Sequence, residues 1–277
     1  MPTAKIQGAE IYYQEIGSGP AVILSDGGLQ GKGDSFYEVM EDLAQEHRVI
    51  TYDRRFGGQS DSPLVVQTWD MACQDVFDLM DALDIDKAYL GGGSFGAAIS
   101  FGCASRDPER VKGIFPSNIA GGVICNAYLA AKLFKSLNLA LETPYGQGIK
   151  IAIDSFDLDD RFSPFSPERA QYDGDYRKSL EAMDPEDFAQ VMRATINALF
   201  DGPYISLGMT KNALNTVRVP TIIMPGHNDI HPRPIAEEVH RLVPNAQWGE
   251  VKPHSEEPQQ YARRVVEFLS SVEDQPK

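Results

Sequence analysis

The sequence predicts an α/β fold: a mostly parallel, doubly wound sheet with a helical cap inserted after the sixth strand. Three observations predict it. Short apolar runs alternate with helical periodicity at both ends of the chain, which places helices on both faces of a parallel sheet. Between about residues 121 and 208 the pattern is helical with no clear strand. Two stretches without charged side chains, 88–105 and 113–131, carry too many glycine, proline and asparagine residues to enter a bilayer, and read as the buried centre of a sheet. The core is therefore assigned to residues 1–120 and 209–277, and the cap to 121–208.

Taken in order, the first fifteen residues alternate, with Ile11, Tyr12 and Tyr13 before the turn Gly17-Ser18-Gly19-Pro20, and predict a β-hairpin. Residues 21–24 are a buried strand, 36–46 a helix and 48–52 the next strand. Thr68 caps a helix whose apolar face is Ala72, Val76, Leu79 and Leu83. A strand at 87–90 runs into a glycine cluster and a helix at 97–104, and 113–115 is one more strand. After the cap, 219–224 is a strand, Ile235, Val239 and Leu242 mark a helix, 247–251 is a strand and 258–272 the closing helix.

Composition excludes several functions. A net charge of −15 leaves no basic surface for nucleic acid and disfavours anionic membranes. The N-terminus has no apolar segment of signal-peptide type. Cys73, Cys103 and Cys125 are odd in number and widely spaced, which suits free thiols in a reducing cytoplasm. His227 and His231 stand four apart, but Pro232 follows and no cysteine is near, so no metal is expected. Residues 154–187 carry eleven acidic and four basic side chains; they read as a solvated helical surface, or as a lid that repels anions.

The chemistry lies at Gly92-Gly93-Ser94-Phe95-Gly96, a G-x-S-x-G pattern between a strand and a helix. Such a turn exposes a serine hydroxyl, and its flanking glycines let strand and helix approach closely. A serine needs a base, and the base needs an orienting carboxylate. His254 lies in the loop between the last strand and the last helix, and Asp229 in Gly226-His227-Asn228-Asp229 just after a strand. Ser94, Asp229 and His254 all follow the C-terminal ends of predicted strands, where open α/β sheets place their sites.

With these motifs the sequence resembles the α/β-hydrolase superfamily, outside the cap. Asp53-Arg54-Arg55-Phe56-Gly57-Gly58-Gln59-Ser60 is similar to the family's D-x-R-G-x-G-x-S loop, with Phe56 in place of the first glycine; read by itself it is a structural Gly/Arg turn. Asp26, in Ser25-Asp26-Gly27-Gly28-Leu29, stands where the family usually has histidine. The resemblance implies an oxyanion hole from the backbone N–H groups of Gly28 and Phe95, with Leu29 the donor if the loop is shifted by one.

The resemblance implies a serine hydrolase acting on a small ester or lactone without cofactor or metal, in the cytoplasm and compatible with a homodimer. The concentrated acidity favours a neutral substrate over an anionic one. Leu29, with Phe134 and Leu137 of the cap, is the candidate substrate lining, although helical Leu and Phe serve a core as readily as a pocket. The competing readings are a C–C bond hydrolase, a cofactor-free haloperoxidase-type acyl transferase, and a ligand-binding receptor on the same fold.

Overall fold

The computed structural model describes residues 2–55, 57–61, 65–142, 148–157, 162, 163 and 165–274. Phe56 lies outside them. The chain opens with the antiparallel hairpin β1 (Thr3–Ile6) and β2 (Ala9–Ile16). Its turn residues Gln7 and Gly8 have φ of 45° and 83°, the left-handed pair that matches the twist of a tight hairpin. β3 (Ala21–Ser25), α1 (Tyr37–Leu43), β4 (Arg48–Tyr52), α2 (Trp69–Ala82), β5 (Ala88–Gly93), α3 (Phe95–Arg106) and β6 (Val111–Ser117) follow. They form a six-stranded sheet of order β1-β2-β4-β3-β5-β6. β2 runs antiparallel to β4; the pairs from β4 through β6 are parallel. β3 and β5 are buried along their whole length, as strands covered on both faces must be.

Among the described residues, five helices stand between β6 and the next strand: α4 (Gly122–Glu142), α5 (Gly148–Asp154), α6 (Pro167–Tyr172), α7 (Gly174–Glu181) and α8 (Pro185–Phe200). The insertion, expected to lack strands, closes on a short hairpin of β7 (Tyr204–Ser206) and β8 (Met209–Thr210). Two or three residues carry too little alternation to be read as strands. α9 (Lys211–Thr216), β9 (Ile222–Ile223), α10 (Arg233–Leu242), β10 (Gln247–Trp248) and α11 (Pro258–Glu273) complete the chain. Parallel bridges Ile114–Thr221 and Ser117–Met224 attach β9 to β6, and β10 pairs with β9 in parallel, so the sheet continues past β6.

Both faces of the sheet are covered. Ile23, Ile50 and Leu90 pack with Val76 and Leu79 of α2, Ile99 and Phe101 of α3 and Val239 of α10. On the other face Val22, Leu24 and Val49 pack with Val39 and Leu43 of α1 and Val265 and Phe268 of α11. Thr68 accepts the Met71 N–H at 3.0 Å and so caps α2.

The acidity of the helical insertion has a structural use. Asp173 accepts the N–H groups of Asp175 and Tyr176 at the start of α7, and Asp184 those of Glu186 and Asp187 at the start of α8. Glu168, Asp175, Glu186 and Asp187 lie in first turns, where a negative charge faces the positive end of the helix dipole. Six of the eleven acids in 154–187 thus serve helix starts. The helical insertion is tied to the rest of the fold by the Trp69 Nε1 to Leu199 carbonyl bond at 3.1 Å, the Gln67 N–H to Thr195 hydroxyl bond at 3.1 Å and the Lys32–Glu168 ion pair.

Candidate active site

Ser94 stands where β5 ends and α3 begins, with φ 57° and ψ −109°. A residue with a Cβ is strained there, and its neighbours hold it in place. The Ser94 N–H donates to the Ser117 and Asn118 carbonyls at 3.1 and 3.2 Å, at the end of β6, and the Ser94 carbonyl accepts from Ala98 at 3.2 Å. A Cβ on Gly92 would lie 2.1 Å, and one on Gly96 1.8 Å, from the Ser25 carbonyl oxygen. On Gly93 it would meet nothing nearer than the Ser117 hydroxyl at 3.6 Å. The two glycines are therefore required by the close approach of β3, β5 and α3, and Ser94 is the tip of the turn they permit.

The loop after β3 comes up against this tip. A Cβ on Gly27 would stand 3.3 Å from Ser94 Cβ and 4.0 Å from its Oγ. Gly28 follows at φ 71° and turns the loop away. Phe95 is the first residue of α3, and first-turn N–H groups have no acceptor within their helix. The Phe95 N–H thus has no acceptor within its helix, and Gly28 follows directly on the residue that comes up against Ser94. Asp26 is buried within the same loop.

His254 is 7% exposed. Its ring stacks on Phe36 with centroids 4.2 Å apart and meets Tyr261 edge-on at 5.5 Å. Its Cε1 lies 3.7 Å from the place of a Cβ on Gly93, so the fold brings the imidazole beside the residue preceding Ser94. Among the described residues the Ser94 hydroxyl makes no hydrogen bond. Catalytic hydrogen bonds are commonly loose in empty sites and tighten on substrate.

Asp229 is exposed in the turn after β9, and among the described residues its carboxylate makes no hydrogen bond or ion pair. The turn is organised instead by Asn228, whose Oδ1 accepts the N–H groups of Ile230 and His231 at 3.1 and 3.0 Å and lies 3.0 Å from His231 Nδ1. His231 Nε2 is buried without a hydrogen-bond partner, and burial pushes the imidazole down to about 4. Between pH 6.5 and 4 the unfolded chain therefore binds a proton that the folded chain refuses. Stability should fall as the pH drops through that window, by up to about 3 kcal/mol. Urea titrations between pH 7 and pH 4.5 check this: the wild-type midpoint declines, and His231→Gln flattens the decline.

The remaining histidines have other surroundings. His240 Nε2 lies 2.9 Å from the Ala246 carbonyl, and buried His47 stands 3.6 Å from Glu273. His227 is exposed. Among the described residues no three His, Cys, Asp or Glu side chains gather as metal ligands, and no helix is long and apolar enough to cross a membrane. Cys73, Cys103 and Cys125 are free and buried.

Of the expected substrate lining, Leu29 lies in the apolar cluster beside Ser94, with Trp69, Phe95, Leu133, Leu199 and Phe200. Phe134 does not: it is 44% exposed, on the opposite face of α4 from Leu129 and Leu133. Leu137 belongs to a second cluster inside the helical insertion, with Ile149, Phe165, Phe188 and Met192. Trp69, whose ring lies 4.8 Å from that of Phe95, and Leu199 escape sequence reasoning. Their one signal is that Trp69 directly follows the Thr68 cap, which fixes its direction.

The Gly/Arg turn is built as a structural loop. Asp53 accepts the N–H groups of Gly33 and Gln59 at 2.9 and 2.8 Å, and burial raises its carboxyl against those bonds. Arg55 forks onto Asp75 of α2 at 2.7 and 2.9 Å. Arg54, also buried, turns the other way and donates to the carbonyls of Gly27 and Gly28.

Comparison with known proteins agrees with this architecture. Residues 20–136 match the model of the alpha/beta hydrolase fold. An uncharacterized hydrolase of Bacillus subtilis, YraK, is 34% identical over 116 residues, 41% of this chain and 42% of that protein. The chain thus spans about two fifths of the length of the curated relatives it matches. Among solved structures, the enol-lactonase of Burkholderia xenovorans superposes with a TM-score of 0.67 at 21% identity, over 97% of this chain and 100% of that one. The meta-cleavage product hydrolase of Pseudomonas fluorescens gives 0.65 at 22% identity, over 98% of both chains. The central sheet, the strand-to-helix turn at Ser94 and these matches together show that the chain has the α/β-hydrolase fold.

Proposed function

We propose that the protein is a serine hydrolase that cleaves a small, neutral carboxylic ester or lactone. The observation that carries this reading is the strained Ser94 at the tip of the β5–α3 turn, with the Gly27 loop against it and the His254 ring beside Gly93. Ser94 Oγ attacks the carbonyl carbon while His254 takes the hydroxyl proton. The Gly28 and Phe95 amides receive the negative charge that develops on the carbonyl oxygen. Collapse expels the alkoxide, which takes the proton from His254. A water deprotonated by His254 then attacks the acyl-enzyme and releases the acid. Asp229 supplies the negative charge that favours the imidazolium. Leu29, Trp69 and Phe200 offer the acyl chain an apolar wall, no cofactor or metal enters the reaction, and buried free thiols suit work in a reducing cytoplasm.

The geometry ranks the members. His254→Ala should lower kcat by about 10⁴-fold. Asp229→Asn should cost only about 10-fold, because an exposed carboxylate acts through water. Steady-state kinetics on both variants check this; equal losses would show that the Asn228 turn folds inward when substrate binds. The bond cleaved is tested with a panel of p-nitrophenyl esters, aliphatic lactones and a vinylogous diketone. Turnover of esters or lactones is the expected outcome, and turnover of the diketone alone would replace the reading by C–C hydrolysis.

A further inference from the structure

Two adjacent arginines follow β4, and they have different partners. Arg55 is absorbed by Asp75 and the Ile6 carbonyl, at the foot of the hairpin. Arg54 reaches across to the loop beside Ser94. Its Nη2 donates to the Gly28 carbonyl and, at 3.3 Å, to that of Gly27. Its Cζ lies 5.4 Å from the centroid of the Phe95 ring. Its own N–H donates to the Gly31 carbonyl at 2.9 Å, and a Cβ on Gly31 would strike the guanidinium at 2.6 Å. The side chain is therefore enclosed by the loop it holds.

We propose that Arg54 is a positioning residue that sets both halves of the anion-binding site beside Ser94. This assignment rests on the serine-hydrolase reading. In a trans peptide the carbonyl and the following N–H point in opposite directions, and no peptide of the described residues is cis. By drawing the Gly27 and Gly28 carbonyls to itself, Arg54 turns the N–H groups of Gly28 and Leu29 away from itself, in the loop that touches Ser94 at Gly27. The same guanidinium lies over the ring of Phe95, whose amide is the other donor. Gly27 and Gly28, the latter at φ 71°, have no side chains to hold their peptide planes, so an external clamp decides their direction. A planar fork can hold two carbonyls and a ring at once; a lysine ammonium is a single point of charge.

The test uses the full chain as wild type, Arg54→Lys and Arg54→Met. It reads the rate of Ser94 phosphonylation by a fluorophosphonate, the Kd of phenylboronic acid, kcat and KM for p-nitrophenyl butyrate, and Tm. Phenylboronic acid becomes tetrahedral and anionic on Ser94 and so reports the anion-binding donors. In Arg54→Met we expect kcat, the phosphonylation rate and boronate affinity to fall together by about 10²-fold, with KM within about 3-fold of wild type. Arg54→Lys should lose about 10-fold in the same three quantities, and it carries the test if Arg54→Met does not fold. Variants that lose only Tm, or that keep boronate affinity and kcat within about 3-fold, overturn the assignment and leave Arg54 a staple of the fold. A wild type that no fluorophosphonate labels at Ser94 overturns the hydrolase reading and this one with it. A labelled wild type with unaffected variants overturns this one alone.

Discussion

Ser94→Gly should lower turnover by at least about 10⁴-fold and at the same time raise stability. The loss follows from removing the nucleophile. The gain follows from the backbone: φ 57° and ψ −109° cost a serine roughly 1–3 kcal/mol and cost glycine little. Against this stands the greater freedom of glycine in the unfolded chain, worth about 0.5–1 kcal/mol. The net gain is about 1 kcal/mol, or roughly 2 °C in Tm for a chain of this size. Ser94→Ala should lose the same activity without the gain, since alanine keeps the Cβ. Thermal melts of the three proteins beside their kinetics separate the two effects. A Ser94→Gly no more stable than Ser94→Ala would mean that the turn stores no strain.

The largest effect on stability is expected at Gly96. Alanine there would place its Cβ 1.8 Å from the Ser25 carbonyl oxygen, a contact with backbone that no rotamer relieves. β3 and α3 would have to move apart by more than an ångström, at a cost of about 3 kcal/mol or more. That outweighs the helix propensity gained by Gly→Ala, about 1 kcal/mol. Gly92→Ala meets the same oxygen at 2.1 Å and should behave alike. Gly93→Ala, between them and in ordinary contact at 3.6 Å, should cost under about 1 kcal/mol. Urea midpoints of the three variants check the contrast. Equal losses at Gly93 and Gly96 would mean that glycine is needed here for conformation and not for space.

The same three positions show why the centre of the fold is legible. Gly92 and Gly96 answer a local demand, a strand turning into a helix against one carbonyl, and local demands leave a local pattern. The alternation of buried strands such as β3 and β5 with helices is legible for the same reason. Sequence fails where direction is decided by packing. α4 is apolar on two faces, so its periodicity cannot tell the buried Leu129 and Leu133 from the exposed Val123, Ile124, Tyr128 and Phe134. Leu137 lies about two turns beyond Leu129 and reaches a different cluster. Arg54 and Arg55 are chemically identical neighbours, and only the fold sends one to Asp75 and the other to the Gly27 and Gly28 carbonyls. The place of Asp229 after a strand can be read, but not the hold of Asn228 on the turn that leaves its carboxylate in water.

The central claim, that Ser94 is a nucleophile activated by its turn and by His254, is tested most directly by incubating the intact protein with a fluorophosphonate and locating the adduct by peptide mass spectrometry. One adduct per chain, on Ser94, formed with a rate that falls sharply in His254→Ala, is the expected result. An unmodified protein, or an adduct on any other residue, would contradict the claim.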